Sequence, residues 1–295
     1  MVFYSVQQLL QEAENRGLPL WKLILDSSAE ESGISPEQSW DMMARRLEAM
    51  RLADASYDPS QRSQSGLSGG DAEKMRLQYE SGRSICGAFI GSVLSAALRM
   101  GECNACMHRI VAAPTAGACG VLPAVLLPYG KEFGLTDDEL IRALYIAAGF
   151  GAVIAQRASI SGAEAGCQAE IGSASAMAAA ALVYLHGGDN RQMASAVAIA
   201  LKNMMGLVCD PVAGLVEVPC VKRNTAGAMN ALSAAELALA GIGSRIPADE
   251  VIDAMRAVGE ALPSSLRETG RGGVAASPTA VAFREKFFGT GQTKK

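Results

Sequence analysis

The stretch Ile171-Gly-Ser-Ala-Ser-Ala-Met-Ala-Ala-Ala-Ala-Leu-Val-Tyr-Leu185 carries no charged side chain. A run of this kind has to be buried. It and the apolar run over 85–100 fall short of the roughly 20 residues that a helix needs to cross a bilayer, and serines or glycines interrupt both. Both therefore read as helices inside a protein core. The chain is 49% hydrophobic but only 5% aromatic, with alanine and glycine supplying much of the apolar content. Small side chains let helix axes approach closely. The pattern predicts an all-α fold, a compact helical domain packed from small-residue-rich helices.

Local signals agree with helices throughout. Ser5 and Ser35-Pro36 are start signals and Gly17 and Gly33 are stops, so the first 55 or so residues read as two or three amphipathic helices. Thr136-Asp-Asp-Glu139 is a capping box opening a helix to about Ala158, and Pro247-Ala-Asp-Glu250 opens another. Further helices are predicted near 172–186 and 190–205. No sustained period-2 alternation and no hairpin signal occurs. The turn-forming stretch Tyr57–Asp71, rich in Ser, Gly and Gln, marks a boundary. The chain divides on this reading into a peripheral N-terminal helical lobe (1–58), a larger helical domain (59–280) and a C-terminal tail (281–295).

A net charge of −4 offers no electrostatic case for nucleic acid or an anionic membrane as partner. The N-terminus lacks the basic and apolar regions of a secretory signal, which points to the cytoplasm. Seven cysteines in such a chain read as reduced thiols, and an odd number cannot pair completely.

Three of them, Cys167, Cys209 and Cys220, sit beside glycine or proline in segments almost empty of charge. Cys209 follows Cys167 by 42 positions and Cys220 follows by 11 more. That spacing is too wide for a zinc knuckle and too irregular for a ferredoxin run. Three thiolates gathered by folding can hold three irons of a [4Fe–4S] cluster and leave the fourth iron open as a Lewis acid. Helix N-termini beside Cys167 and Cys220 favour thiolate and an anionic cluster.

These three segments, with Arg109-Ile-Val-Ala-Ala-Pro114-Thr115-Ala-Gly117-Ala-Cys119-Gly120 before them, resemble the alpha chain of bacterial iron–sulfur-dependent L-serine dehydratase, or L-serine ammonia-lyase, over roughly residues 60–280. The resemblance implies that Cys167, Cys209 and Cys220 hold the cluster. It implies L-serine as substrate, converted to pyruvate and ammonia. Single-chain members carry a second domain with further catalytic residues, and some place a cysteine near the C-terminus; Gly289–Lys295 has none. The chain thus looks like the alpha half of a two-chain enzyme, with the base for the Cα proton on a beta-chain partner.

The remaining candidates divide by chemistry. The segment over 113–120 offers a threonine hydroxyl and free amides at a helix start, suited to a carboxylate, and equally reads as a tight turn. Substrate contacts are expected from Thr115, Ala116 and Gly117, from Ser65 and Gly66 in a second glycine-rich loop, and from Glu164 and Asn224; Asp210 and Lys222 are candidates to orient ligands. Cys86 reads as buried structure, Cys103-Asn-Ala-Cys106 as an incidental loop pair, and Cys119 as lining at most. His186 reads as a cap at a helix C-terminus, and His108 as a weak alternative base. Rival functions are an iron–sulfur L-cysteine desulfidase and a non-catalytic iron–sulfur sensing module. A pyridoxal-phosphate enzyme needs a Schiff-base lysine and phosphate cup, and Lys74, Lys202 and Lys222 lie in no such context.

Overall fold

The computed structural model describes residues 2–289, and among them there are helices and turns but no strand. The uncharged run over 173–185 forms the centre. It is helix α9 in a series that begins with α1 (Val6–Arg16), α2 (Leu20–Ser32), α3 (Pro36–Ala55), α4 (Asp71–Glu80) and α5 (Gly87–Ala105). The chain continues through α6 (Val121–Phe133), α7 (Asp137–Arg157) and the single turn α8 (Gly162–Ala165) before reaching α9 (Ser173–Leu185). Helices α10 (Asn190–Met204), α11 (Cys220–Leu239), α12 (Ala248–Ala261) and α13 (Pro278–Phe288) complete it. Helix α9 is buried on every side from Ser173 to Val183, as a helix without a polar face has to be. Its wall is formed by α6, α7, α10 and α11.

Small residues set the spacing of these helices. A Cβ on Gly227 of α11 would come 2.8 Å from Val121 Cγ2 and 2.9 Å from Ile171 Cγ2. Buried polar groups then specify the register. Asn230 on α11 donates to Ser175 Oγ (2.7 Å) on α9 and to the Ala200 carbonyl (2.9 Å) on α10, so one amide ties three helices without an unpaired group.

The local signals hold where chemistry is local. Gly17 (φ 61°) and Gly33 (φ 64°) end α1 and α2 in the left-handed conformation. Ser35 and Thr136 each form a full capping box. Helix α6 continues through Pro128 to Phe133. Helix α13, with Ser277 as N-cap and Pro278 at its start, occupies residues 281–288 of the expected tail; residues 290–295 lie outside the described ones. The N-terminal helices α2 and α3 pack on α7, and Leu23, Leu47, Phe150 and Val183 belong to one continuous core. Among the described residues no helix is long and apolar enough to cross a membrane.

Candidate active site

Three breaks in the helical order bring the cysteine segments together. The first follows Gly166, whose φ of 76° turns the chain out of α8. Cys167 then leads into a π-helical turn, Gln168–Gly172, which runs on into α9; such turns insert one extra residue and re-aim side chains. Gln168 is fully buried. Its side chain accepts from Gly206 N (2.8 Å) and donates to the carbonyls of Ala165 (2.9 Å) and Met255 (3.1 Å), while its backbone N donates to Leu207 O (2.9 Å). One side chain thereby holds the Cys167 turn against the segment entering Cys209.

Cys209 lies in extended chain rather than at a helix end. Its N donates to Leu266 O (2.9 Å) and its O accepts from Glu268 N (2.7 Å), a short parallel bridge to Arg267. Cys220 is the first residue of α11, behind Pro219. Cys167 and Cys209 are each 3% exposed and Cys220 is half-buried.

The thiols feel one another. Burial pushes the Cys167 thiol up to about 11, with Arg223 opposing and Glu170 adding to the rise. Burial likewise raises Cys220 to about 12, with Cys167 and Glu170 adding. Cys209 is raised further still, by burial first and then by Cys167, Glu170, Glu268 and Cys220. Groups that repel in this way share one low-dielectric space. Among the described residues no three Cys, His, Asp or Glu side chains converge on the position of a single ion.

Glu170, three residues beyond Cys167, stands among these thiols. Burial, then Glu268, holds its carboxyl above the ordinary range, and the Thr115 hydroxyl works in the other direction. Two glycines make room for it. A Cβ on Gly162 would sit 2.6 Å from Glu170 Oε2 and 3.0 Å from Cys209 Sγ, and one on Gly117 would sit 3.4 Å from Glu170 Oε1. The expected site carboxylate Glu164 is instead exposed, accepting a 2.6 Å hydrogen bond from Ser159 Oγ.

The segment over 113–120 is fastened to α11 by Asn224, which is 1% exposed. Asn224 Oδ1 accepts from Gly120 N (2.8 Å), and Nδ2 donates to Gly117 O and to Cys220 O (2.9 Å each). Its amide therefore orients the Thr115–Gly117 turn and the Cys220 helix start together. Ala116 is exposed and Gly117 half-buried. In the second loop, Ser63 Oγ and Ser65 Oγ both donate to Glu217, at 2.6 and 2.8 Å, and Gly66 has a φ of 78°.

Arg223 is the cation of the site. It donates to Val208 O (2.7 Å), pairs with Asp210 Oδ1 (2.9 Å) and lowers the Cys167 thiol. Asp210 Oδ2 in turn accepts from Val274 N (2.7 Å), which closes the segment over 264–276 across Cys209. Lys222 lies outside, exposed, 3.4 Å from Asp71.

Glu170, Glu217, Gln168 and Arg223 escaped the sequence reading as site residues. The available signal was a polar group inside an otherwise apolar cysteine segment. Two of the remaining cysteine readings need correction. Cys86 is exposed, before the first residue of α5. Cys103 lies within the last turn of α5, buried against Ala53 O, and Cys106 follows the helix's last residue. Cys119 is buried, its Sγ 3.6 Å from Met100 O. His186 is the C-cap residue of α9, at a helix C-terminus as expected, and shares a 3.0 Å hydrogen bond with Tyr129 OH, while His108 pairs with Gln61 Oε1 at 2.6 Å.

The sequence that builds this site has counterparts among known proteins. The profile described as "Serine dehydratase alpha chain" matches residues 15–275, and the chain belongs to that family. It is 48% identical over 288 residues to the "Probable L-serine dehydratase, alpha chain" of Bacillus subtilis, covering 98% of this chain and 96% of that one. It is 56% identical over 193 residues to a protein of the same description from Latilactobacillus sakei, 65% of this chain and 92% of that one. With the "L-serine dehydratase" of Mycobacterium tuberculosis it shares 48% identity over 185 residues, 61% of this chain but only 40% of the longer protein.

Proposed function

We propose that the chain is the alpha chain of a two-chain, [4Fe–4S]-dependent L-serine dehydratase, deaminating L-serine to pyruvate and ammonia. The observation that carries the reading is the meeting of Cys167, Cys209 and Cys220, from three separate segments, around Glu170, with Cys167 raising the thiols of both Cys209 and Cys220. The donor set fits such a group. Thiols with pKa values this high become thiolates only against strong positive charge, and a cluster takes each thiolate on a different iron, so convergence on a single point is not required of them. Arg223 offsets the remaining negative charge beside Cys167. When bound, the cluster supplies an open iron as Lewis acid toward the substrate hydroxyl.

The protein's own groups position the amino acid. Thr115, Ala116 and Gly117 in the turn that leads to α6, together with Ser65 and Gly66, are the proposed contacts for its carboxylate. Asn224 acts by holding the first of these turns in place. Glu164 is too exposed to belong to a closed site and stands at its rim. Loss of the Cα proton and of the β-hydroxyl gives aminoacrylate, which tautomerises to an imine that water hydrolyses. The base comes from the beta chain on this reading; the 40% coverage of the longer relative supports a second part to the enzyme.

The test is a side-by-side assay of anaerobic alpha and beta chains with L-serine and L-cysteine. Serine is expected to give pyruvate with matching ammonia and to be the better substrate by kcat/KM. Faster sulfide release from cysteine would replace this reading with a desulfidase, and turnover of neither with an intact cluster would favour the sensing module.

A further inference from the structure

The loop over 61–70 is rich in serine and glycine and has no helix or strand of its own, yet two buried carboxylates from distant parts of the chain fasten it. At one end Glu217, 7% exposed, receives Ser63 Oγ on Oε2 (2.6 Å) and Ser65 Oγ on Oε1 (2.8 Å). Both hydroxyls also accept from the loop's own backbone, Ser65 Oγ from Leu67 N (3.0 Å) and Ser63 Oγ from Ser68 N (3.2 Å). The carboxylate therefore organises two side chains and, through them, two amides. At the other end Glu102, 1% exposed, receives Asp71 N (2.8 Å), Ala72 N (3.3 Å) and Tyr57 OH (2.6 Å), fixing the first turn of α4. Between them the loop is folded tightly: a Cβ on Gly69 would lie 2.3 Å from Gln61 O.

Glu217 has a second attachment. It stands three residues before Cys220, and Val221 N donates to its carbonyl (2.9 Å) as α11 begins. We propose that Glu217 is a positioning residue that locks the serine-bearing loop against the Cys220 segment, so that the loop meets the substrate carboxylate already ordered. The proposal rests on the serine dehydratase reading for its substrate. An unclamped glycine-rich loop samples many conformations, and a ligand that has to order it binds more weakly. Hydrogen bonds from hydroxyls to an ionised carboxylate are among the stronger kind, so two of them make an effective clamp.

The experiment compares Glu217→Gln and Ser63→Ala with the natural chain in the alpha–beta enzyme. Ser63 is not a proposed substrate contact, and its variant removes one arm of the clamp should Glu217→Gln fold poorly. Hydrogen exchange read by mass spectrometry is expected to speed up by roughly tenfold in peptides covering 61–70, with peptides over 113–120 unchanged. The KM for serine is expected to rise by roughly tenfold while kcat changes little and iron per chain stays the same. Unchanged exchange at 61–70 in both variants would overturn the clamp. A fall in kcat at constant KM would overturn its role in substrate binding. Wild-type enzyme that releases no pyruvate would contradict the proposed function instead, and exchange at 61–70 would still decide whether Glu217 holds the loop.

Discussion

Serine in place of Cys209 is expected to abolish serine turnover and strip most of the bound iron, while the helical fold survives. A serine hydroxyl has almost the same shape as the thiol but does not ionise near neutral pH and is a poor partner for iron beside sulfide. The backbone at Cys209 is held through both its N–H and its C=O, by Leu266 O and by Glu268 N, so the segment keeps its course without the sulfur. Cys167→Ser and Cys220→Ser are expected to behave alike, because each removes one of three protein ligands. Cys86→Ala, at an exposed position, is the control and is expected to keep both iron and activity. Iron per chain, pyruvate release and far-ultraviolet circular dichroism on the four variants check this. Full activity in Cys209→Ser would mean that the ligand set has been misassigned.

The second large effect concerns the partner. The alpha chain alone, with its iron and sulfide restored, is expected to turn serine over about 10² to 10⁴ times more slowly than with the beta chain, the usual worth of a positioned general acid or base. The structure supplies the reason. Of the two histidines, His186 is engaged with Tyr129 at the end of α9 and His108 with Gln61. Glu164 sits at the exposed rim. Glu170 is a half-buried carboxylate among the thiols, and burial together with Glu268 holds its carboxyl above the ordinary range. Pyruvate release with and without the beta chain is the measurement. Rapid turnover by the alpha chain alone would refute the two-chain claim and make Glu170 the first residue to replace.

What could be read from the chain and what could not divide along sequence distance. Helix ends at Gly17, Gly33, Ser35 and Thr136 depend on contacts within a few residues, so their chemistry is visible in the local string. The three cysteines stand out in the sequence because each carries its own glycine or proline context. The groups that assemble the pocket were not. Glu217 meets Ser63 across 154 positions, and Gln168 meets Gly206 across 38; no local pattern encodes such a pairing. Asn224 reads from the sequence as a substrate contact, because nothing local shows that its amide is already engaged by Gly117, Gly120 and Cys220. Glu164 and Glu170 look alike in the sequence. The π-helical turn at Gln168–Gly172 and the missing Cβ of Gly162 separate them, turning Glu170 inward and leaving Glu164 at the surface.

The claim on which the rest depends is that these three thiols hold an iron–sulfur cluster with one open iron. The most direct measurement is iron and acid-labile sulfide per chain in anaerobically purified protein, followed with visible absorbance as air is admitted. The account predicts brown protein with about four irons and four sulfides per chain, as expected for a [4Fe–4S] group, and broad absorbance that fades in air together with serine dehydratase activity. Colourless, active protein with neither iron nor sulfide would contradict it.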